Sequence, residues 1–267
     1  MAQRRIAPKA PRSRSTTDCS DAEWEQRVDL ACAYRLLAHL GWHSLVYNHL
    51  TARVPGPDDH FLINPFGLMF HEVTASNLIK IDTDGNKLSD SPHRVLRAGF
   101  IVHRSVHMSR PDIGAVMHTH TIAGVAVSCQ ADGLLPINLG SMGLSNSIAY
   151  HDVEGISLER DESDRIAADL GDRQVMILRN HGLLVCGRTV AEAFALLFSL
   201  ERCCQIQIAA QSGGARLIQP PAAVVERTAQ QYTRRLRQND ASNDGGHAIQ
   251  WAAMRRWMQQ ESPGFDR

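Results

Sequence analysis

The chain reads Arg110-Pro-Asp-Ile-Gly-Ala-Val-Met-His-Thr-His120, an apolar segment that follows a proline and ends in two histidines. Residues two apart on a β-strand point to the same face. If residues 116–121 form a strand, His118 and His120 lie side by side while Thr119 faces the other way. Two imidazoles in this arrangement can bind one transition metal, although a histidine in such a pair can also serve only a core hydrogen bond.

A third histidine lies far along the chain, in the sequence Asn180-His181-Gly182, at a turn between two apolar segments. His181 can therefore complete a three-histidine site with His118 and His120. Three protein ligands leave coordination positions open, and open positions distinguish a catalytic metal site from a structural one. A metalloenzyme is the first hypothesis.

The bulk properties favour a sizeable core, since 43% of the 267 residues are hydrophobic. The chain has 28 lysine and arginine residues and 28 aspartate and glutamate residues, so no overall charge points to nucleic acid or an anionic membrane. We expect no partner of either kind, and no apolar run approaches the roughly 18 to 20 residues that span a bilayer. The six cysteines form no CxxC pair, which favours reduced thiols and a cytoplasmic location.

Local signals predict an α/β fold in which a mixed sheet carries helices on its faces. Ser20 and Glu23 are expected to form a capping box for a helix that stops at Gly41. Asp84-Gly85 is typical of a hairpin turn. The other main predicted elements are helices over residues 98–110 and 189–210 and strands over residues 61–64, 78–81, 114–121, 175–178 and 183–186.

Composition divides the chain into three parts. Residues 1–20 form a basic tail that is expected to be disordered and that lacks the apolar centre of a secretory signal. Residues 21–214 hold the predicted folded domain. Residues 215–267 are predicted to form a C-terminal extension with short helices, which packs on the main domain or on another subunit.

Four further motifs accompany the segment that ends in His120. They are Asn48-x-x-x-x-Arg53, Asn64-Pro-Phe-Gly67, Asp82-Thr-Asp-Gly85 and Leu178-Arg-Asn-His-Gly-Leu183. In this order they resemble the class II aldolase/adducin family, over roughly Trp24 to Gly213. The resemblance implies a single three-layer α/β/α domain around a central, mostly antiparallel mixed sheet. It also implies a homotetramer with the active site at a subunit interface.

The resemblance further implies a metal. Aldolases and epimerases of the family hold a divalent ion with three histidines, which correspond here to His118, His120 and His181. In the aldolases zinc polarises a carbonyl and stabilises the enediolate formed when the carbon–carbon bond breaks. Zinc is therefore the first candidate, with iron, manganese and cobalt as alternatives.

The chain departs from the family at the acid/base position, where the aldolases carry a glutamate and this chain has Gly99. His103 matches a family histidine one helical turn later, and His107 lies a turn beyond it. Either imidazole can move protons near neutral pH, and His103 is the catalytic candidate. The alternative is that both histidines only pack within the helix. Tyr150 is offset from the family's catalytic tyrosine and receives no role.

The family's phosphate pocket is also changed. The substrate-binding candidates are Asn48, Asn64, Phe66, Gly67 and Arg97. Tyr47 replaces a glycine and Phe66 replaces a serine, and bulky aromatic side chains prevent the close backbone approach that small residues allow. We therefore expect a substrate without phosphate. Arg97 stands where the family has serine, and it either pairs with a substrate carboxylate or is a solvated surface arginine.

Three functions remain open for a small-molecule substrate. The first is a metal-dependent lyase that acts on a carbon–carbon bond next to a carbonyl, by aldol chemistry or decarboxylation, in a non-phosphorylated oxo or hydroxy acid, aromatic ones included. The second is a non-haem Fe(II) oxygenase that shortens an aromatic side chain, as family members in aminocoumarin pathways do. The third is a non-catalytic, adducin-like assembly protein. The lyase leads because all three ligands are present.

Overall fold

The computed structural model describes residues 19–56, 59–155, 160–241 and 246–267. In chain order the elements are α1 (Asp21–His39), β1 (His49–Arg53), β2 (Phe61–Ile63), a short 3-10 helix η1 (Phe70–Glu72), β3 (Ile79–Ile81), α2 (Arg97–Ser109), β4 (Ala115–Thr119), α3 (Ile122–Ser128), α4 (Leu139–Leu144), β5 (Ile148–His151), α5 (Arg160–Leu170), β6 (Val175–Leu178), β7 (Gly182–Gly187), α6 (Val190–Ser212), α7 (Ala222–Ala241) and α8 (Gly246–Glu261). The predicted disordered tail lies, as far as residue 18, outside the described residues.

The strands form one sheet in the order β3-β2-β1-β4-β7-β6-β5. All neighbouring pairs are antiparallel except β5 and β6, which are parallel. The prediction of a mixed, mostly antiparallel sheet is confirmed. Strand β4 lies at its centre, with His118 opposite His49 of β1 and Thr119 opposite Leu183 of β7.

Helices cover both faces of the sheet. Successive residues of each strand point to opposite sides, so each strand contributes side chains to both layers of packing. Met117 of β4 lies in one hydrophobic cluster with Leu30 of α1 and Leu197 of α6. Val116 lies in a second cluster with residues of α2 and α5 such as Val106. The expected three-layer α/β/α domain is therefore confirmed. By the same alternation His118 points to the face that α2 and α5 cover.

The start of α1 differs in one detail from the predicted capping box. The Ser20 hydroxyl accepts a hydrogen bond from the Glu23 amide at 3.1 Å, as expected for an N-cap. The Glu23 side chain does not reach back to the cap. It is buried and pairs with Arg27 at 2.9 Å and Lys80 at 2.7 Å. Burial of the carboxylate explains the difference, since a buried charge requires ionic partners.

Helix α6 corrects the expectation that no segment is long and apolar enough to cross a bilayer. By length and composition Val190–Ser212 meets that criterion, and 56% of its apolar window is buried inside the protein. Leu197 and Leu200 belong to the main hydrophobic cluster. The apolar character of α6 therefore serves the core of the domain.

The C-terminal helices pack on the rest of the chain. Trp251 of α8 is buried, and its indole N–H donates to Asp29 of α1 at 2.8 Å. The carbonyl of buried Phe265 accepts from the amide of Ala75 at 2.8 Å. These contacts lie on the main domain, which is one of the two predicted docking surfaces of the extension. Helix α7 packs against α4, where Tyr232 lies close to Gly143.

Candidate metal centre

The three predicted histidines converge at the ends of two neighbouring strands. His118 lies within β4, and His120 follows the last residue of that strand. His181 immediately precedes β7, in a turn where Asn180 adopts a φ of 57°. The three ring centroids lie 4.6, 4.7 and 4.8 Å apart. One nitrogen from each ring falls within 4.8 Å of the others.

The hydrogen bonds of His118 make this cluster suitable for a cation. Its Nδ1 lies 2.8 Å from the carbonyl oxygen of Leu183, which can only accept, so Nδ1 carries the proton. Nε2 therefore presents a lone pair, and it lies 2.7 Å from Nε2 of His120. A metal-binding histidine usually donates its second N–H in this manner. The donor set fits a divalent transition metal.

Burial keeps the three imidazoles neutral, which metal ligation requires. Desolvation is the main cause at each residue, and the neighbouring histidines add to it. It lowers the pKa of His118 well below its usual value of 6.5 and that of His120 to about 4. The pKa of His181 is lowered as well, although the charge of Glu162 opposes the effect.

Gly182 allows the two strand ends to approach. A Cβ atom at this position would lie 2.4 Å from the carbonyl oxygen of Thr119 and 3.0 Å from Cδ2 of His120. Only glycine leaves room for that contact. Two residues of the Asn-His-Gly sequence therefore contribute to the site. His181 provides a ring, and Gly182 leaves the space that the His120 ring occupies beside it.

A second group of histidines lies on the β1 side of the triad, beneath α2. The ring of His49 is 6.4 Å from that of His118 and 4.7 Å from that of His103. The Thr51 hydroxyl is 2.8 Å from both Nδ1 of His103 and Nε2 of His107. It donates to one ring and accepts from the other, so the two rings hold complementary protonation patterns.

The predicted acid/base residue His103 is thus fully buried, and His49 lies between it and the triad. Burial and the neighbouring histidines lower its pKa well below the usual value. Its role in proton transfer stays a prediction. His49 itself did not emerge from the sequence, although its alternation with Thr51 on β1 is a signal for a shared face.

Asn48 has the features of a ligand-binding residue. It adopts a φ of 70° and is 4% exposed. Neither side-chain polar atom has a hydrogen-bond partner among the described residues. It adjoins His49, which is paired with His118 across the sheet. A buried amide in a strained conformation without partners indicates a site that a ligand completes.

The other predicted substrate residues lie in different surroundings. Asn64 is buried and accepts a hydrogen bond from the Tyr34 hydroxyl at 2.9 Å. Phe66 is half-buried, with its ring centroid 6.0 Å from that of Tyr47. Gly67 has a φ of 101° and open space around it. Arg97 is the first residue of α2, and its side chain lies outside the described part of the structure.

A small cleft of about 10 Å³ lies on the opposite side of the triad from β1. His181, His151 of β5 and Glu162 of α5 all line it. Neither His151 nor Glu162 was predicted as a site residue. The sequence gives no periodic signal for them, because α5 reaches the triad only through the tertiary fold.

Known proteins share this architecture. A family model described as Class II Aldolase and Adducin N-terminal domain matches residues 28–208. The crystal structure of an aldolase II superfamily protein from Pseudomonas syringae is 47% identical, with a TM-score of 0.87 over 93% of this chain and 98% of that one. The L-fuculose 1-phosphate aldolase from Glaciozyma antarctica PI12 is 27% identical, with a TM-score of 0.75 over 90% and 92% of the two chains.

Similarity also extends to the adducins. Alpha-adducin from Mus musculus is 44% identical over 193 residues, which are 70% of this chain and 26% of alpha-adducin. The chain is therefore similar both to a named aldolase and to the part of an adducin that shares this fold.

Proposed function

This chain belongs to the class II aldolase and adducin family, and on that basis we propose that it is a metal-dependent lyase acting on a carbon–carbon bond next to a carbonyl. The observation that carries the proposal is the convergence of His118, His120 and His181, whose ligand atoms lie within 4.8 Å of one another. Neutral imidazoles are good ligands for a divalent transition metal, and three of them here can share one ion.

The metal would be held by these three imidazoles. Zinc is the first choice, with manganese, cobalt and iron as alternatives. When bound, the ion supplies Lewis-acid chemistry, since it polarises a carbonyl oxygen of the substrate. The hydrogen bond from Nδ1 of His118 to the carbonyl oxygen of Leu183 fixes the orientation of the His118 ring.

The surrounding residues bind and orient the substrate. Asn48 donates and accepts through its amide, whose atoms have no other partner among the described residues. The aromatic pair of Tyr47 and Phe66 stands where the family has the small residues that bind phosphate. The substrate is therefore a non-phosphorylated oxo or hydroxy acid, aromatic ones included. Arg97 pairs with its carboxylate, while Asn64 and Gly67 shape the pocket wall.

Proton transfer on the β1 side is assigned to His103, acting through His49. The short ring-to-ring distances support this path, since His49 lies 4.7 Å from His103 and 6.4 Å from His118. Thr51 and His107 fix the orientation of His103 from behind.

In this proposal the domain boundaries and the oligomeric state follow the family pattern. The domain spans residues 21–214, with residues 215–267 as an extension, and the protein is a cytoplasmic homotetramer. Ile122 supports a subunit contact beside the site, because it is 91% exposed and lies two residues from His120. Leu139, at 73% exposure, is a second apolar residue available for contact.

Two other functions have specific support. The 44% identity to alpha-adducin favours a non-catalytic assembly role. The aromatic pair at the pocket favours an Fe(II) oxygenase acting on an aromatic side chain. Three histidines suit iron as well as zinc, so the triad supports either enzyme.

Metal analysis tests the proposal. Protein purified anaerobically is analysed for its metals and assayed for aldol cleavage and decarboxylation of non-phosphorylated oxo and hydroxy acids. About one zinc, manganese or cobalt ion per chain together with carbon–carbon bond chemistry supports the lyase. Iron with oxygen consumption supports the oxygenase. Absence of stoichiometric metal contradicts both enzymes and leaves the assembly role.

A further inference from the structure

The proposed lyase needs a carboxylate or another base that Gly99 does not provide, and the cleft beside His181 contains one. Glu162 is 7% exposed and lines the cleft together with His151 and His181. It lies on α5, on the side of the triad away from His49 and His103. Glu162 and the triad residue His181 therefore face the same cleft.

His151 is held with one nitrogen facing this carboxylate. Its Nδ1 lies 2.7 Å from a carboxylate oxygen of Asp169, so the Nδ1 proton is donated there. Its Nε2 is buried, has no hydrogen-bond partner among the described residues and lies 4.0 Å from Oε1 of Glu162. In the neutral ring this nitrogen is an acceptor.

At 4.0 Å the two atoms are too far apart for a direct hydrogen bond. A substrate hydroxyl placed between them would lie within reach of both side chains. The apolar residues Val102, Ile166 and Leu178 also line the cleft. His151 and Glu162 are its buried polar residues, so a substrate hydroxyl that enters the cleft would meet this pair.

We propose that Glu162 is a catalytic acid/base residue of the lyase, taking the place of the carboxylate absent at Gly99, and that His151 and Asp169 are positioning residues. This inference rests on the proposed lyase function. In this proposal the substrate hydroxyl binds on the side of the triad where α5 lies. Proton transfer on the β1 side is still assigned to His49 and His103.

The proton transfers balance over one turnover. In the cleavage direction, the hydroxyl proton of the substrate moves to Glu162 and the hydroxyl carbon becomes an aldehyde carbonyl. The electron pair of the breaking carbon–carbon bond passes to the carbonyl fragment as an enolate. Glu162 then returns its proton to the enolate carbon, which gives the ketone and restores the carboxylate.

The reverse of that last step can be measured alone. Metal-loaded protein is incubated in D2O with dihydroxyacetone or pyruvate, and 1H NMR follows the exchange of carbon-bound protons next to the carbonyl. Wild-type protein is expected to exchange them faster than metal-free protein does. Glu162→Gln is expected to slow the exchange about 100-fold, the usual scale for loss of a general base.

Two controls separate chemistry from folding. Asp164→Asn removes an exposed carboxylate from the same helix and is expected to exchange at the wild-type rate. Elemental analysis is expected to find the same metal content in wild type and Glu162→Gln. Formate is expected to restore part of the exchange in Glu162→Ala, which a purely structural residue would not show.

The outcomes distinguish this inference from the function on which it rests. If wild-type protein exchanges protons and Glu162→Gln does so within about threefold of its rate, Glu162 is not the base and only this inference fails. The same holds if His103→Gln loses the exchange and Glu162→Gln keeps it. If metal-loaded wild type shows no exchange, the lyase function fails and this inference with it.

Discussion

Nε2 of His118 lies 2.7 Å from Nε2 of His120, although β4 ends between these two residues. Thr121, the next residue, is the N-cap of α3. At this distance the two nitrogens share a proton, and two nitrogens bound to one tetrahedral zinc ion would lie about 3.3 Å apart. The metal hypothesis therefore requires the two rings to separate slightly when the ion binds.

Replacement of any triad histidine by alanine is expected to abolish stoichiometric metal binding while the protein stays folded. Each ring provides one of only three ligands, and two ligands hold a transition metal far more weakly. Elemental analysis after gel filtration measures the effect, with circular dichroism as the folding check. His71→Ala, which removes an exposed histidine, serves as the matched control. Full metal retention by a triad variant would remove that residue from the site.

Gly182→Ala is expected to disrupt the metal centre from the backbone, because its Cβ would lie 2.4 Å from the Thr119 carbonyl oxygen. Gly114→Ala is the comparison, since its Cβ would lie 2.2 Å from the Arg188 carbonyl, at the far end of β4. Both variants should lose stability in urea titration. Only Gly182→Ala should lose metal affinity, by about tenfold or more. Equal metal affinity in the two variants would contradict this account of Gly182.

Phe66→Ser is expected to raise the affinity for inorganic phosphate, since it removes the ring that lies 6.0 Å from that of Tyr47 and restores the small hydroxyl residue of the family. Titration calorimetry on metal-loaded protein measures the change. Phe66→Leu keeps an apolar side chain and should bind phosphate no better than wild type. If serine at this position brings no gain, the aromatic pair is not what excludes phosphate.

Asn48→Gly is expected to stabilise the ligand-free protein by about 1 kcal/mol, because glycine accepts a φ of 70° and removes a buried amide that has no partner in the described part of the chain. The same change should weaken oxalate binding to the metal-loaded protein about tenfold. Leu45→Gly relieves a φ of 51° at an exposed residue and should leave oxalate binding unchanged. Urea titration and calorimetry give the two quantities, and unaltered oxalate affinity in Asn48→Gly would remove Asn48 from the site.

His107 is expected to make the fold sensitive to acid. Desolvation, assisted by the charge of Arg53, lowers its pKa from 6.5 to about 3. Between these values the unfolded chain binds a proton that the native protein does not. The free energy of unfolding therefore falls as the pH drops through this window, by at most about 1.4 kcal/mol per pH unit from this residue.

His107→Gln is expected to make this pH dependence shallower by about one proton. Urea titrations of chelator-treated protein between pH 4 and 7 measure the slope without a contribution from metal. An unchanged slope would show that other groups cause the sensitivity to acid.

The sequence allowed the architecture and the convergence of the three histidines to be predicted, because both depend on local alternation and on motifs. His118 and His120 follow from a period of two, and the apolar strands β6 and β7 were predicted with nearly correct bounds. Strand β1 was missed because its polar residues His49 and Thr51 are buried against α2 rather than exposed. A buried polar face does not produce the usual alternation.

The second side of the site could not be predicted for a different reason. His151 and Glu162 can be recognised as site residues only from their distance to each other and from the cleft that they share with His181. The helix that carries Glu162 has an unremarkable acidic start, as many solvent-exposed helices do. Tertiary packing therefore determines this part of the site.

The position of β4 between β1 and β7 has a consequence for biosynthesis. A ribosome releases β1 and β4 early, so His118 and His120 can be in place while one edge of β4 still lacks its neighbour. That edge of β4 can pair only when β7 leaves the ribosome, and His181 leaves it immediately before β7. Completion of the sheet and assembly of the triad are one late, long-range step in the life of the nascent chain. Cellular metal supply could therefore influence how much newly made protein reaches the native state.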